Sequence, residues 1–215
     1  MPHNNAKLNT TIMVYVATFD KDVVVGEVEP AIRNELIQHC ADPLTKQQRY
    51  CVWKLLDKAL YDCYGGGIAD FGFYVDGNGK WNTHNCIELS LAHSNNVVVV
   101  ALCNHYVGVD IEGVSRFERY VDDALFADRV LTENEMEQLT NTPVERKAEL
   151  LATMWTKKES FFKLGNRKAF VPQSIDTTAY SIHSQLLTID GEQYSLSVAR
   201  YIPSKIELVQ VHLAL

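Results

Sequence analysis

Apolar residues dominate the stretch from Thr10 to Phe19, which is short and interrupted by Tyr15 and Thr18; this predicts a strand and excludes a signal peptide there. Beyond Asp42-Pro43 the period changes. Val52, Leu55, Leu56, Ala59 and Leu60 recur at helical spacing. Asp42 supplies a cap, Pro43 takes the first helical position where no amide donor is needed, and Gly65-Gly66-Gly67 ends the helix. Phe71 to Val75 reads as a strand weakened by Gly72, followed by the tight-turn signal Asp76-Gly77-Asn78-Gly79. Three β-type runs come next: Ile87 to Leu91, Val97 to Leu102 and Tyr106 to Glu112. Asn95-Asn96 and Asn104-His105 separate them and predict two hairpins. Thr132 with Glu135, and Thr142 with Glu145 and Pro143, mark two helix starts. The second helix is expected from about Pro143 to Leu164, with Gly165 as its stop. Thr178 to His183, Leu186 to Asp190, Tyr194 to Arg200 and Ile206 to Leu215 read as strands, with Asp190-Gly191 as a turn.

This order predicts an α+β fold of two similar halves joined near Cys103 to Glu112, divided as residues 1–104 and 105–215. A length of 215 residues allows one large domain or two small ones. Apolar content of 47% and charged content of 22% are those of a soluble globular protein. The net charge of −7 argues against nonspecific nucleic-acid binding, so an anionic ligand needs a local cationic patch. No apolar run approaches membrane-spanning length. The five cysteines are odd in number and lack CxxC spacing, which predicts reduced thiols in a cytoplasmic protein.

Two segments carry chemistry. On a strand, Val107, Val109 and Ile111 share one face, while Gly108, Asp110 and Glu112 share the other. The second face offers two carboxylates about 7 Å apart, beside a glycine that admits a ligand to the backbone. Such oxygen ligands suit magnesium, which keeps waters and takes substrate phosphate as a further ligand. A solvated acidic face of an ordinary alternating strand is the competing interpretation.

In the later helix, Ala148, Leu151, Ala152, Trp155 and Phe162 lie on or near one face. Glu159 falls at the edge of that face, and Lys163 follows four residues on. For these two residues alone, an ordinary exposed Glu-to-Lys pair is the favoured reading. The surroundings favour a site: Lys157, Lys158, Lys163, Arg167 and Lys168 stand against Glu159 in an otherwise acidic chain. His93 and Ser94 end a predicted strand, where both can donate to phosphate oxygens. HExxH, GxSxG, P-loop and GxGxxG patterns are absent.

Ser90-Leu91-Ala92-His93-Ser94, Val107-Gly108-Val109-Asp110-Ile111-Glu112 and Trp155-Thr156-Lys157-Lys158-Glu159-Ser160-Phe161-Phe162-Lys163, in this order and spacing, resemble the motifs of the Sfp-type 4′-phosphopantetheinyl transferases. The resemblance implies two α+β halves related by pseudo-twofold symmetry, with coenzyme A bound at their interface. It implies magnesium on Asp110, Glu112 and Glu159, and catalytic roles for Asp110, Glu159 and Lys163. It places His93 and Ser94 at a coenzyme A phosphate, Lys158 and Lys163 near the phosphates, and Lys46, Arg49 and Lys80 among nucleotide-binding cations. Ala92 stands where the family has serine, and Trp81 where it has proline. The activity implied is transfer of the 4′-phosphopantetheine arm to a serine of an apo carrier protein of fatty-acid, polyketide or nonribosomal peptide synthesis, by a monomer with no nucleic-acid or membrane partner. A magnesium-dependent nucleotide or phosphate hydrolase, and a non-catalytic module that binds carrier proteins, are the two alternatives.

Overall fold

The computed structural model describes residues 11–213 and 215. Thr10 and Ala214, at the ends of two predicted strands, lie outside the described residues. The described residues form two compact units: those up to Val107 together with those from Tyr201 onward, and residues 108–200.

The first unit is organised around the helix that Asp42 starts. The Asp42 carboxylate accepts from the Thr45 amide at 2.7 Å, and α2 runs from Pro43 to Tyr64. It stops at Gly65, whose φ of 76° is left-handed, a conformation glycine adopts without a Cβ penalty. One face of α2 buries Val52, Leu55, Leu56, Ala59 and Leu60 against a four-stranded sheet. The sheet order is β4 (Glu88–Ser94), β5 (Val97–Cys103), β1 (Thr11–Phe19), β9 (Lys205–Leu213). Every residue of β5 is buried, as expected of a strand covered on both faces. β4 and β5 form the predicted hairpin, turning through Asn95 at φ 50°. A helix without a strong sequence signal, α1 (Ala31–Gln38), precedes α2, and a two-stranded ribbon joins β2 (Phe73–Val75) to β3 (Trp81–Thr83).

The second unit repeats the plan of one long helix on one sheet. The sheet order is β6 (Val107–Gly113), β8 (Glu192–Arg200), β7 (His183–Ile189), and α5 (Val144–Leu164) packs on β8. A 3₁₀ stretch over Val114–Tyr120, α3 (Ala124–Val130) and α4 (Glu133–Thr140) complete a core around Phe117, Leu139, Leu151 and Met154. The Thr132–Glu135 capping box is formed.

Four expectations are corrected. β5 and β6 lie in different sheets, so Asn104-His105 is a crossing and not a hairpin turn. Thr142 donates to the Gln138 carbonyl instead of capping α5, which starts after Pro143 without a side-chain cap. α5 does end at Leu164 with Gly165 as its cap, as expected; Gly165 is right-handed at φ −76°, and Asn166 after it is left-handed at φ 45°. Thr178 to Ile182 is turn and coil, and β7 begins at His183. The final strand pairs in parallel with β1 and so belongs to the first unit, not to the second. Among the described residues, no helix is long and apolar enough to cross a membrane.

Candidate active site

The alternation of β6 is realised without a solvated face. Val107, Val109 and Ile111 are fully buried, and Asp110 and Glu112 are only 6% and 8% exposed. What covers the acidic face is α5. A Cβ on Gly108 would lie 1.9 Å from the Ser160 carbonyl oxygen and 2.6 Å from the Leu164 amide. Glycine therefore serves the close approach of helix backbone to strand, a correction to its expected role of admitting a ligand.

That approach brings α5 side chains onto the carboxylates. Lys163 Nζ lies 2.7 Å from Asp110 Oδ1 and also donates to the Val109 carbonyl at 3.2 Å. The helix cation thus reaches across to the strand. Arg116, four residues beyond Glu112 on the 3₁₀ stretch, donates to Glu112 Oε1. The Asp110 carboxyl is raised to about 7, chiefly by burial, with Lys163 opposing the rise and Glu159 and Glu112 adding to it. Burial also raises Glu159, with Lys163 and Arg116 opposing and Glu112 reinforcing. Asp110, Glu112, Glu159 and Lys163 therefore form one electrostatic cluster inside the second unit.

Among the described residues, no group of three His, Cys, Asp or Glu side chains is arranged to hold a metal ion. The cluster's chemistry nevertheless fits a hard divalent cation. Three carboxylates face two side-chain cations, and Asp110 Oδ2 is buried with no hydrogen-bond partner, which is costly for a carboxylate oxygen.

Lys158 is a different case from its neighbours in the cationic run. It is fully buried, 2.7 Å from Glu135 Oε2, and donates to the carbonyls of Pro172 and Ile175. Burial lowers its proton affinity, and Glu135 raises it. Glu135 in turn accepts from the Thr177 amide and hydroxyl and from the Thr132 amide. Lys158 ties the 172–177 segment to α5 and is not available to a phosphate. A signal existed for this: Leu151, Met154 and Lys158 are three and seven apart, on one inward stripe. Arg116 and Glu135 were missed; Arg116 had no marker beyond its place after the strand end.

The remaining expected site residues belong to the first unit. Lys46 and Arg49 sit three apart in the first turns of α2, and Lys46 Nζ donates to the Gln38 carbonyl at 3.3 Å. The Arg49 carbonyl accepts from Arg33, whose guanidinium stacks 4.9 Å from the Trp53 ring. Lys80 pairs with Glu88 at 2.9 Å and lies 5.5 Å from the Tyr106 ring. On β4, His93 is exposed and Ser94 buried.

Comparison with known proteins points to one family. A model described as the 4′-phosphopantetheinyl transferase superfamily matches residues 106–202, which include β6 and α5. The 4′-phosphopantetheinyl transferase psf-1 of Bacillus pumilus is 29% identical over 112 residues, 51% of this chain and 46% of the relative. The 4′-phosphopantetheinyl transferase gsp of Aneurinibacillus migulanus is 31% identical over 86 residues, 40% of this chain and 34% of the relative. The holo-[acyl-carrier-protein] synthase of Streptococcus sanguinis (strain SK36) is 44% identical over 57 residues, 26% of this chain and 48% of the relative. In each case the chain spans less than half the length of the relative it matches.

Proposed function

We propose that the chain is a member of the 4′-phosphopantetheinyl transferase superfamily, whose model its residues 106–202 match, and that it transfers the 4′-phosphopantetheine arm of coenzyme A to a serine hydroxyl of an apo carrier protein. The observation that carries this reading is the buried Asp110 carboxylate, held at 2.7 Å by Lys163 and flanked by Glu112 and Glu159, all within the matching segment.

The serine oxygen forms a bond to the β-phosphorus of coenzyme A, the bond to the bridging oxygen breaks, and 3′,5′-ADP leaves. The obstacles are a weak nucleophile and charge gathering on the leaving group. Glu159 is half-buried, and burial raises its proton affinity, so it is suited to accept the serine proton at its carboxylate. Lys163 orients Asp110 and supplies fixed positive charge beside the reacting phosphates. Asp110, Glu112 and Glu159 would hold magnesium, which when bound neutralises the pyrophosphate. His93, Ser94, Lys46, Arg49 and Lys80 are assigned to the nucleotide phosphates of coenzyme A; Lys158 is left out, since Glu135 and two carbonyls already engage it. A cytoplasmic monomer acting on an acyl or peptidyl carrier belongs to the same proposal.

The test mixes the protein with coenzyme A, magnesium and a panel of apo carriers of fatty-acid, polyketide and nonribosomal peptide origin. Mass spectrometry of the carriers is expected to show the mass of the arm on one serine. No gain on any carrier, with phosphate released from nucleotides when no carrier is present, selects the hydrolase instead.

A further inference from the structure

Three residues of α5 that point into the second unit are polar and fully buried: Thr156, Lys158 and Ser160. Lys158 has its ion pair, and Ser160 donates to the Lys157 carbonyl within the helix. Thr156 Oγ1 likewise lies 3.2 Å from the Thr153 carbonyl of its own helix, and it also has partners outside the helix. Its Oγ1 lies 3.1 Å from Ser195 Oγ and 2.8 Å from Ser197 Oγ, both on β8 and both fully buried. Ser195 Oγ donates to Thr153 Oγ1 at 3.2 Å, Thr153 Oγ1 donates to the Glu149 carbonyl at 2.9 Å, and Ser184 Oγ on β7 lies 2.8 Å from Ser197 Oγ.

Each hydroxyl has one proton and two lone pairs, and its proton rotates to suit its neighbours. Thr156 has one proton to give, to the Thr153 carbonyl or to Ser195; in either case it accepts from Ser197, and donation to Ser195 links all five groups. Ser184 donates to Ser197, Ser197 to Thr156, Thr156 to Ser195, Ser195 to Thr153, and Thr153 to the backbone of α5. The chain runs unbroken from half-buried Ser184 through β8 into the helix. Thr156 is its centre, and removing that one hydroxyl separates the two ends.

An apolar helix face tolerates small rotations and slides, because dispersion contacts are non-directional. A closed set of hydroxyl bonds in a dry interface tolerates only the register in which every donor meets an acceptor. Glu159 is three residues beyond Thr156 and Lys163 seven, so a shift at Thr156 moves both. Nothing in the transfer chemistry calls on Thr156 itself, since it has no exposed atom.

We propose that Thr156 is a positioning residue for Glu159 and Lys163, acting through its hydroxyl bonds to Ser195 and Ser197. The proposal rests on the transferase reading for its catalytic consequence, while its structural content is independent of that reading.

The test uses the full chain and three variants: Thr156→Val, which keeps shape and removes the hydroxyl; Thr156→Ser, which keeps the hydroxyl; and Thr156→Val with Ser195→Ala and Ser197→Ala, which removes the stranded partners as well. Arm transfer is measured where circular dichroism shows each variant fully folded. Thr156→Val is expected to lower kcat about tenfold or more, with KM for coenzyme A within about twofold, since small misplacements of catalytic groups act on the chemical step. Thr156→Ser is expected to restore kcat. The triple variant is expected to melt higher than Thr156→Val and to remain slow. A folded Thr156→Val protein with native kcat, or a triple variant with native kcat, overturns the proposal. Hydrogen exchange at the amides of residues 159–163 separates this failure from failure of the function. If the wild type transfers no arm, the transferase reading fails; exchange raised about tenfold in Thr156→Val still supports the register role, and unchanged exchange overturns it.

Discussion

Asp110 concentrates the chemistry of the second unit in one carboxyl group. One oxygen receives Lys163, the other is buried without a partner, and two further carboxylates act on it. Its proton affinity is raised in the folded chain, to about 7, against about 4 in an unfolded one. Below about pH 4 both states hold the proton and the group contributes nothing. Between about pH 4 and 7 the unfolded chain gives up the proton first, so stability falls as pH rises, by at most about 1.4 kcal/mol per pH unit, and levels off above 7. Urea unfolding in EDTA from pH 5 to 8 is expected to show this decline. Asp110→Asn removes its part of the slope, and added magnesium raises the midpoint at pH 8 for the wild type and not for the variant. The same substitution is expected to cut transfer about 10²-fold. A variant with the wild-type slope and wild-type turnover would mean that Asp110 is neither the buried acid nor part of the site. The spacing of Asp110 and Glu112 on a strand, and of Glu159 and Lys163 on a helix, marked these four as candidates, and the fold brings them into one cluster. That Lys163 would pair with Asp110 in preference to Glu159 was not legible, because it depends on how closely the helix lies on the strand.

That closeness is a property of elements. Strand β6 and helix α5 touch backbone to backbone at Gly108, where even a methyl group meets the Ser160 carbonyl and the Leu164 amide. Neither neighbour is the flexible end of a side chain, so Gly108→Ala must push α5 away or distort β6. A loss of about 3 kcal/mol is expected from overpacking of this kind, measured by chemical denaturation. Turnover of the remaining folded protein is expected to fall as well, because the Lys163 to Asp110 bond spans the same gap. Native stability with alanine would show that the gap is wider than the backbone positions imply. Element starts were legible where side chains announced them: Asp42 before α2, the Thr132–Glu135 box before α4, Asp190-Gly191 between β7 and β8. Elements held only by tertiary packing were not. The 3₁₀ stretch that delivers Arg116 and the eight-residue α1 have little local signal, and short helices draw most of their stability from the surface they cover. Lys158 misled for a related reason. A lysine in a cationic run reads as surface until its place on the Leu151–Met154 stripe, and the Glu135 carboxylate that meets it, are considered together.

At the scale of the whole chain, periodicity identifies strands and says nothing about which sheet each joins. The run from Tyr106 to Glu112 looked like the third strand of a meander, yet β6 begins a new sheet; Ile206 onward looked like the end of the second half, yet β9 returns to the first. Strand pairing between residues nearly two hundred apart is a long-range choice, made by the open edge of β1 and not by the local pattern. The first unit is therefore discontinuous, and its sheet is closed only when residues 205–213 run parallel to β1 from Thr11 to Phe19. Ending the chain after Arg200 leaves the β1 edge unpaired and uncovers Val14, Val16 and Phe19, which are at most 2% exposed when residues 205–213 are present. Hydrogen exchange followed by mass spectrometry is expected to show β1 and β5 losing most of their protection in such a truncation, while β7 and β8 keep theirs, since they pair with each other over His183–Val198, inside the second unit. Protection lost equally in both sheets would mean that the second unit depends on the first for its fold. Protection retained in both would mean that β9 adds little to the sheet it edges.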